Sequence, residues 1–164
     1  MNISQIMEKM IAFSNGNLHD INHFMCVWTY AKTIGGLEGL DRKTQETLEI
    51  AAITHDIACP LCREKYGNTN GKWQEEEGGP KVRSFLADAG LSAEQVDRVA
   101  YLVSHHHTYT DIDGIDYQIL IEADYIVNAS ESGYSPENRK NFLEEHMKTE
   151  SGKRLLRSTF CMET

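Results

Sequence analysis

Apolar residues recur at helical spacing along nearly the whole chain. Ile3, Ile6, Met7, Met10 and Ile11 fall on one helix face. Ile21, Phe24, Met25, Val27, Trp28, Ala31 and Ile34 form a second run, which Gly35-Gly36 should stop. Asp41 reads as the N-cap of a third helix, in which Leu48, Ala51, Ala52 and Thr54 lead into His55-Asp56 and Cys59-Pro60 should mark the end. Pro60, Gly67, Asn68, Asn70, Gly71, Gly78, Gly79 and Pro80 punctuate residues 59–80. They predict a long loop with room for a short helix around 61–66, and loops of that length are often functional.

Val82, Phe85, Leu86 and Ala89 resume the helical pattern, which closes at Gly90. Ser92 and Gln95 fit a capping box, and Val96, Val99, Ala100 and Val103 carry the next helix into His105-His106-His107. A polar loop over 108–114 precedes Tyr117, Leu120, Ile121, Asp124, Tyr125 and Asn128, again at helical spacing. Ser135-Pro136 is an N-cap followed by proline, opening a helix through Phe142, Leu143 and His146. A short amphipathic helix should cover 153–160. There is no β-hairpin signal. The expected fold is all-α, a single helical bundle over 1–164, with the motif-bearing region at about 18–130 and C-terminal helices over 136–160.

The chemistry lies where this pattern would place interior. His23 sits between Ile21 and Phe24; His55-Asp56 follows Ala-Ala-Ile-Thr; Asp124 is embedded in Ile-Leu-Ile-Glu-Ala-Asp-Tyr-Ile-Val. An aspartate on a buried face is costly unless paired, hydrogen-bonded or metal-bound. Singly, each residue has a plain reading: a core histidine, a capping aspartate, a chance His-Asp pair such as His19-Asp20. Together, His23, then His55-Asp56 after 32 residues, then Asp124 after 68 more, offer ligands from three helices to one cation.

With these residues the chain resembles the HD-domain superfamily of metal-dependent phosphohydrolases. The resemblance implies His23, His55, Asp56 and Asp124 as metal ligands, Asp56 with a catalytic part as well. It sets His105 or His106 against the substrate phosphate or a second metal, and gives His107 no role. Two imidazoles and two carboxylates suit Mn, Fe, Co, Ni or Zn in preference to Mg²⁺. The implied activity is hydrolysis of a small phosphate ester or nucleotide by a metal-activated water. Two departures stand out. Gln74 to Gly79 lie where many two-metal members carry a further histidine, which implies one tightly held ion. Cys59 stands where some single-metal members carry a catalytic carboxylate. An HD-type di-iron oxygenase and a catalytically silent binding module are the alternatives.

Charge narrows the partners. Twenty-five acids against 16 bases give −9, which argues against nucleic-acid polymers and anionic membranes as partners. Yet residues 63–83 hold Arg63, Lys65, Lys72, Lys81 and Arg83. They suggest a lid in which Lys65, Lys72 and Lys81 bind substrate phosphate. Cys59 and Cys62 form a CxxC with no second copy, read as two free thiols near the site. No stretch approaches the ~18 apolar residues of a membrane span. The first 17 residues lack the apolar core of a signal peptide, so a cytoplasmic location and reduced cysteines are expected, with a homodimer left open.

Overall fold

A computed structural model describes residues 1–163. Nine helices and no strand occur among them: α1 (Ile3–Phe13), α2 (Leu18–Glu38), α3 (Arg42–Thr54), α4 (Cys59–Tyr66), α5 (Gly71–Leu86), α6 (Ala93–Val103), α7 (Ile115–Glu131), α8 (Pro136–Glu145) and α9 (Glu150–Thr159). The all-α expectation holds. Asp41, Ser92 and Ser135 cap α3, α6 and α8, each accepting from backbone N–H groups of the first turn.

The core forms around α3 and α7. Every residue of α3 from Thr47 to Thr54 is buried, as is every residue of α7 from Asp116 to Val127. A helix buried all round needs neighbours on every side. α2 packs on both, α6 packs on α3, and α1, α5 and α9 close the outside. One contiguous cluster results, including Phe24, Val27, Leu48, Ile53, Leu102, Tyr117, Leu120 and Ile126.

Two breaks expected from the sequence are corrected. α2 runs through Gly35-Gly36 to Glu38, and Gly39 ends it in the left-handed region at φ 71°. Gly35 is small because α3 lies against it: a Cβ there would meet the Gln45 side chain, and Leu48 Cδ2 at 3.2 Å. The long loop over 59–80 is instead two helices, α4 and α5, joined by 67–70. α5 contains Gly78, Gly79 and Pro80 in its interior. A Cβ on Gly78 would lie 2.7 Å from Val103 Cγ1, and one on Gly79 would strike Ser104 Oγ. The glycines are there for the close approach of α5 to the end of α6, and packing overrides their weak helix propensity. Tyr66 and Trp73 stack at 4.2 Å, interplanar 9°, tying α4 to α5.

One buried carboxylate fastens the C-terminal helices. Glu122 on α7 is 0% exposed. Its Oε1 accepts from Gln118 Nε2 (2.7 Å), Lys148 N (2.6 Å) and Thr149 N (3.0 Å), and its Oε2 from Thr149 Oγ1 (2.5 Å). Thr149 is the N-cap of α9. Removing a charged acceptor strands these donors, at about 2–4 kcal/mol for a group of this kind. Glu122→Ala should therefore lower the denaturation free energy by about that amount. Urea unfolding followed by circular dichroism checks this, and an unchanged midpoint would show the carboxylate to be dispensable.

Candidate metal centre

α2, α3, α7 and the segment after α6 each bring one element of the site. His23 projects from the second turn of α2 and is buried. Its Nδ1–H donates to Glu131 Oε2 at 2.9 Å. Its Nε2 lies 3.1 Å from His55 Nε2, 3.2 Å from Asp124 Oδ1 and 3.5 Å from Asp56 Oδ2. His55 ends α3, and its Nδ1–H donates to Ala52 O at 2.8 Å. Asp56 follows in the short turn between α3 and α4, where its carbonyl accepts from Cys59 N. Asp124 stands on α7, one turn before Asn128, whose amide donates to Oδ1 at 2.9 Å.

The Nδ1 contacts decide what the facing atoms are. A carbonyl oxygen only accepts, so the His55 ring carries its proton on Nδ1; the carboxylate of Glu131 imposes the same on His23. In their neutral forms the two Nε2 atoms are then both lone pairs, 3.1 Å apart. Two acceptors at that distance, ringed by two aspartates, require a cation or a proton between them.

A second group adjoins the first. His106 is 0% exposed, its Nδ1–H donates to Val103 O (2.8 Å), and its Nε2 faces Asp56 Oδ1 at 3.5 Å with no hydrogen-bond partner. The ring of His107 lies 4.0 Å from that of His106, with its Nε2 also buried and unpartnered. His23, His55 and Asp56 can present ligand atoms within 4.8 Å of one another, and so can Asp56, His106 and His107. Asp56 is common to both.

Without a cation the cluster holds protons instead. Burial alone would lower the His23 pKa, but the hydrogen bond to Asp124 and the charges of Asp56 and Asp124 outweigh it and raise the value to about 10. His106 is also raised, with Asp56 overcoming burial. Asp56 and Asp124 are held well below the usual carboxylate range: burial pushes them up, but the surrounding imidazoles pull them further down. His107 goes the other way, to about 4, through burial and then the positive His106 beside it.

Of the residues expected at the site, His23, His55, Asp56, Asp124 and His106 come together. His105 does not: it stacks on Tyr101 at 4.2 Å and its Nδ1–H donates to Tyr101 O. His107 takes the place beside His106. α6 ends at Val103, so the histidine triplet lies in a turn rather than on a continued helix face, and helical register could not orient the three rings. The three lysines also lie elsewhere. Lys65 pairs with Glu77 at 2.6 Å, Lys72 lies over Trp73 and Lys81 over Phe13. These positions belong to the packed helices α4 and α5, which stand where a lid loop was expected.

The cluster opens into a cavity of about 610 Å³, within the usual size range of small-molecule sites. Asp56, Asp124, His23, Cys59, Gln74 and His107 are among the residues that line it. Arg63 also lines it, bound through its two terminal guanidinium nitrogens to Asp20 at 2.8 and 2.5 Å. Gln74 donates to Thr69 O while its buried Oε1 is left without a partner. Burial, above all, pushes the Cys59 thiol far up, so it is a neutral wall group.

A helical bundle that gathers two histidines and two aspartates from three helices, with a His-Asp pair at the end of one of them, is the arrangement of an HD domain. The HD-domain sequence profile matches residues 20–153, and the chain belongs to that family. A comparison with curated proteins finds no match. Among solved structures, the chain is similar to a crystal structure, at 1.45 Å resolution, of a predicted HD superfamily hydrolase from an uncultured Thermotogales bacterium. The TM-score is 0.70 at 20% identity, covering 96% of this chain and 84% of that one. No described helix is long and apolar enough to cross a membrane.

Two titrations follow for the metal-free protein. His23, raised above its unfolded value of 6.5, should be an imidazolium at neutral pH and lose its proton near pH 10. The stability it contributes is full below pH 6.5 and fades as pH rises towards 10. His107, lowered to about 4, should stay neutral until the solution is that acidic. Long-range ¹H–¹⁵N correlation of the imidazoles measures both, and a neutral His23 at pH 7 would contradict the electrostatics of the cluster.

Proposed function

We propose that the protein is a metal-dependent phosphohydrolase acting on a small phosphate ester. The observation that carries this reading is the convergence of the His23 and His55 Nε2 lone pairs, 3.1 Å apart, on Asp56 and Asp124, which line an open cavity. The mixed N/O donor set suits Mn, Fe, Co, Ni or Zn. His23, His55, Asp56 and Asp124 would hold the ion. When bound, it acts as a Lewis acid on a phosphate oxygen and makes water a stronger nucleophile at neutral pH.

The chain's own groups prepare that chemistry. Glu131 takes the Nδ1–H of His23, and Ala52 O and Val103 O take those of His55 and His106, so each ring keeps its Nε2 lone pair turned inward. Asn128 fixes one oxygen of Asp124. His106 and His107, with Asp56 shared, supply donors for a second ion. That shared carboxylate favours a two-ion site over the single ion implied by the missing histidine near Gln74. In the reaction, a water oxygen forms a bond to phosphorus as the ester P–O bond breaks, and the departing oxygen takes up a proton.

The test is elemental analysis of the purified protein together with a phosphatase screen of phosphorylated metabolites, run with Mn²⁺, Co²⁺, Ni²⁺ and Mg²⁺ in parallel. Asp56→Ala should lose both metal and turnover while keeping its helical circular dichroism. A fully active, fully loaded variant would overturn the proposal. Iron-dependent consumption of O₂ would favour an oxygenase instead.

Glu131→Gln should weaken metal affinity about 10- to 100-fold, the usual scale for a group that orients a metal-ligating histidine. Calorimetric titration with Mn²⁺ reads it directly. Lys65→Ala, Lys72→Ala and Lys81→Ala should leave kcat/KM within about twofold of wild type, since each side chain is engaged away from the cavity and surface pairs contribute ~0–1 kcal/mol. A tenfold loss in any of them would restore the lid.

A further inference from the structure

We infer that the substrate carries a single phosphate on a planar, hydrogen-bonding group, a nucleoside monophosphate, and that nucleoside di- and triphosphates are rejected. The inference rests on the phosphohydrolase reading for the chemistry, but on the cavity wall alone for binding.

Part of the cavity wall is aromatic. Phe142 and Tyr125 stack at 3.5 Å with an interplanar angle of 2°, and Tyr109 and His146 contact Phe142 at 5.5 and 5.1 Å. Tyr134 continues the wall, 5.7 Å from Tyr125. All five rings line the cavity, and Tyr109, Tyr134 and His146 are partly exposed in it. Such faces accept a heterocycle by stacking.

Amides supply the polar complement. Asn128, Asn138 and Asn141 also line the cavity, and their uncharged amides carry both donor and acceptor atoms, in part engaged by Asp124 and Tyr125. Asn138 accepts from Tyr125 Oη at 2.5 Å through its carbonyl oxygen, which leaves its NH₂ group as the donor. Aromatic faces beside uncharged donor–acceptor pairs match a nucleobase better than a sugar alone.

The charge of the wall sets the phosphate number. Among the described residues, Arg63 is the only lysine or arginine that lines the cavity, and Asp20 neutralises it through two hydrogen bonds. Beyond Asp56 and Asp124, the remaining charged lining groups are Glu131 and Glu145. One phosphate can rest on the metal end, where the cation supplies positive charge. A second or third phosphate would extend into a region with no free cation and with carboxylates present, and like charges there repel.

The experiment uses the full chain loaded with Mn²⁺. Steady-state kinetics compare the 5′-monophosphates of adenosine, guanosine, cytidine and uridine with the corresponding triphosphates and with ribose 5-phosphate. Saturation-transfer NMR with adenosine reads binding independently of turnover. At least one monophosphate should exceed both its triphosphate and ribose 5-phosphate in kcat/KM by tenfold or more. Tyr134→Ala should reduce the preference for that nucleotide over ribose 5-phosphate by about tenfold, the scale of one base–aromatic stack. Triphosphates turned over as well as monophosphates would overturn the charge argument. Ribose 5-phosphate turned over as well as any nucleotide, with no adenosine signal, would overturn the assignment of the wall while leaving the hydrolase reading intact. An adenosine signal with no turnover of any phosphate would support the wall and overturn the hydrolase reading.

Discussion

Two imidazole nitrogens that both carry lone pairs have been brought to 3.1 Å of each other inside a protein, and nothing in the covalent structure makes that favourable. The arrangement exists because each ring is pinned from behind by an acceptor, Glu131 for His23 and the Ala52 carbonyl for His55. The four central elements can close around this point only if positive charge fills it. A proton does so in part, in keeping with the raised His23, and a divalent ion would do so more fully because it would answer both nitrogens and both carboxylates at once. An ion that binds the folded chain and not the unfolded one adds to folding stability by mass action. Core packing and metal affinity are thereby linked through α2, α3 and α7, which bury their apolar faces against one another and carry the ligands.

The position of Asp56 gives the site its breadth. It lies in a turn rather than on a helix, adjacent in sequence to His55, and one of its oxygens faces His106 at 3.5 Å while the other faces His23 at 3.5 Å. A carboxylate on a rigid helix face would be committed to one side. In the turn it reaches both the histidines of α2 and α3 and those that follow α6.

Much of this was legible in the sequence. The helical character, three N-caps and the four residues of the first cluster follow from apolar periodicity interrupted by His and Asp at interior positions. What was misread shares one cause, that local signals were outweighed by packing between distant segments. Gly78, Gly79 and Pro80 look like loop residues, yet they lie within a helix because Val103 and Ser104 press against them. The same contact lies where α6 ends, just before the histidine triplet, so the choice between His105 and His107 depended on a helix terminus that periodicity cannot fix. Charge and sequence position are all that point Lys65, Lys72 and Lys81 towards a substrate. Their partners, Glu77, Trp73 and Phe13, become visible only once α4, α5 and α1 are assembled. The aromatic wall is not visible in the sequence, where Tyr109, Tyr125, Tyr134, Phe142 and His146 read singly as core or loop residues.

The composition of α5 has a kinetic consequence. Two interior glycines and a proline make this helix intrinsically unfavourable by about 5 kcal/mol relative to alanine at the same positions. It is held by its neighbours and not by its own backbone. Its amides should therefore exchange more readily than those of α3 and α7, which are buried on every side. Gly71, at the start of α5, lies against the ring of His107. Any opening of α5 would therefore bear first on the His107 side of the site, since His23, His55 and Asp124 are carried by α2, α3 and α7.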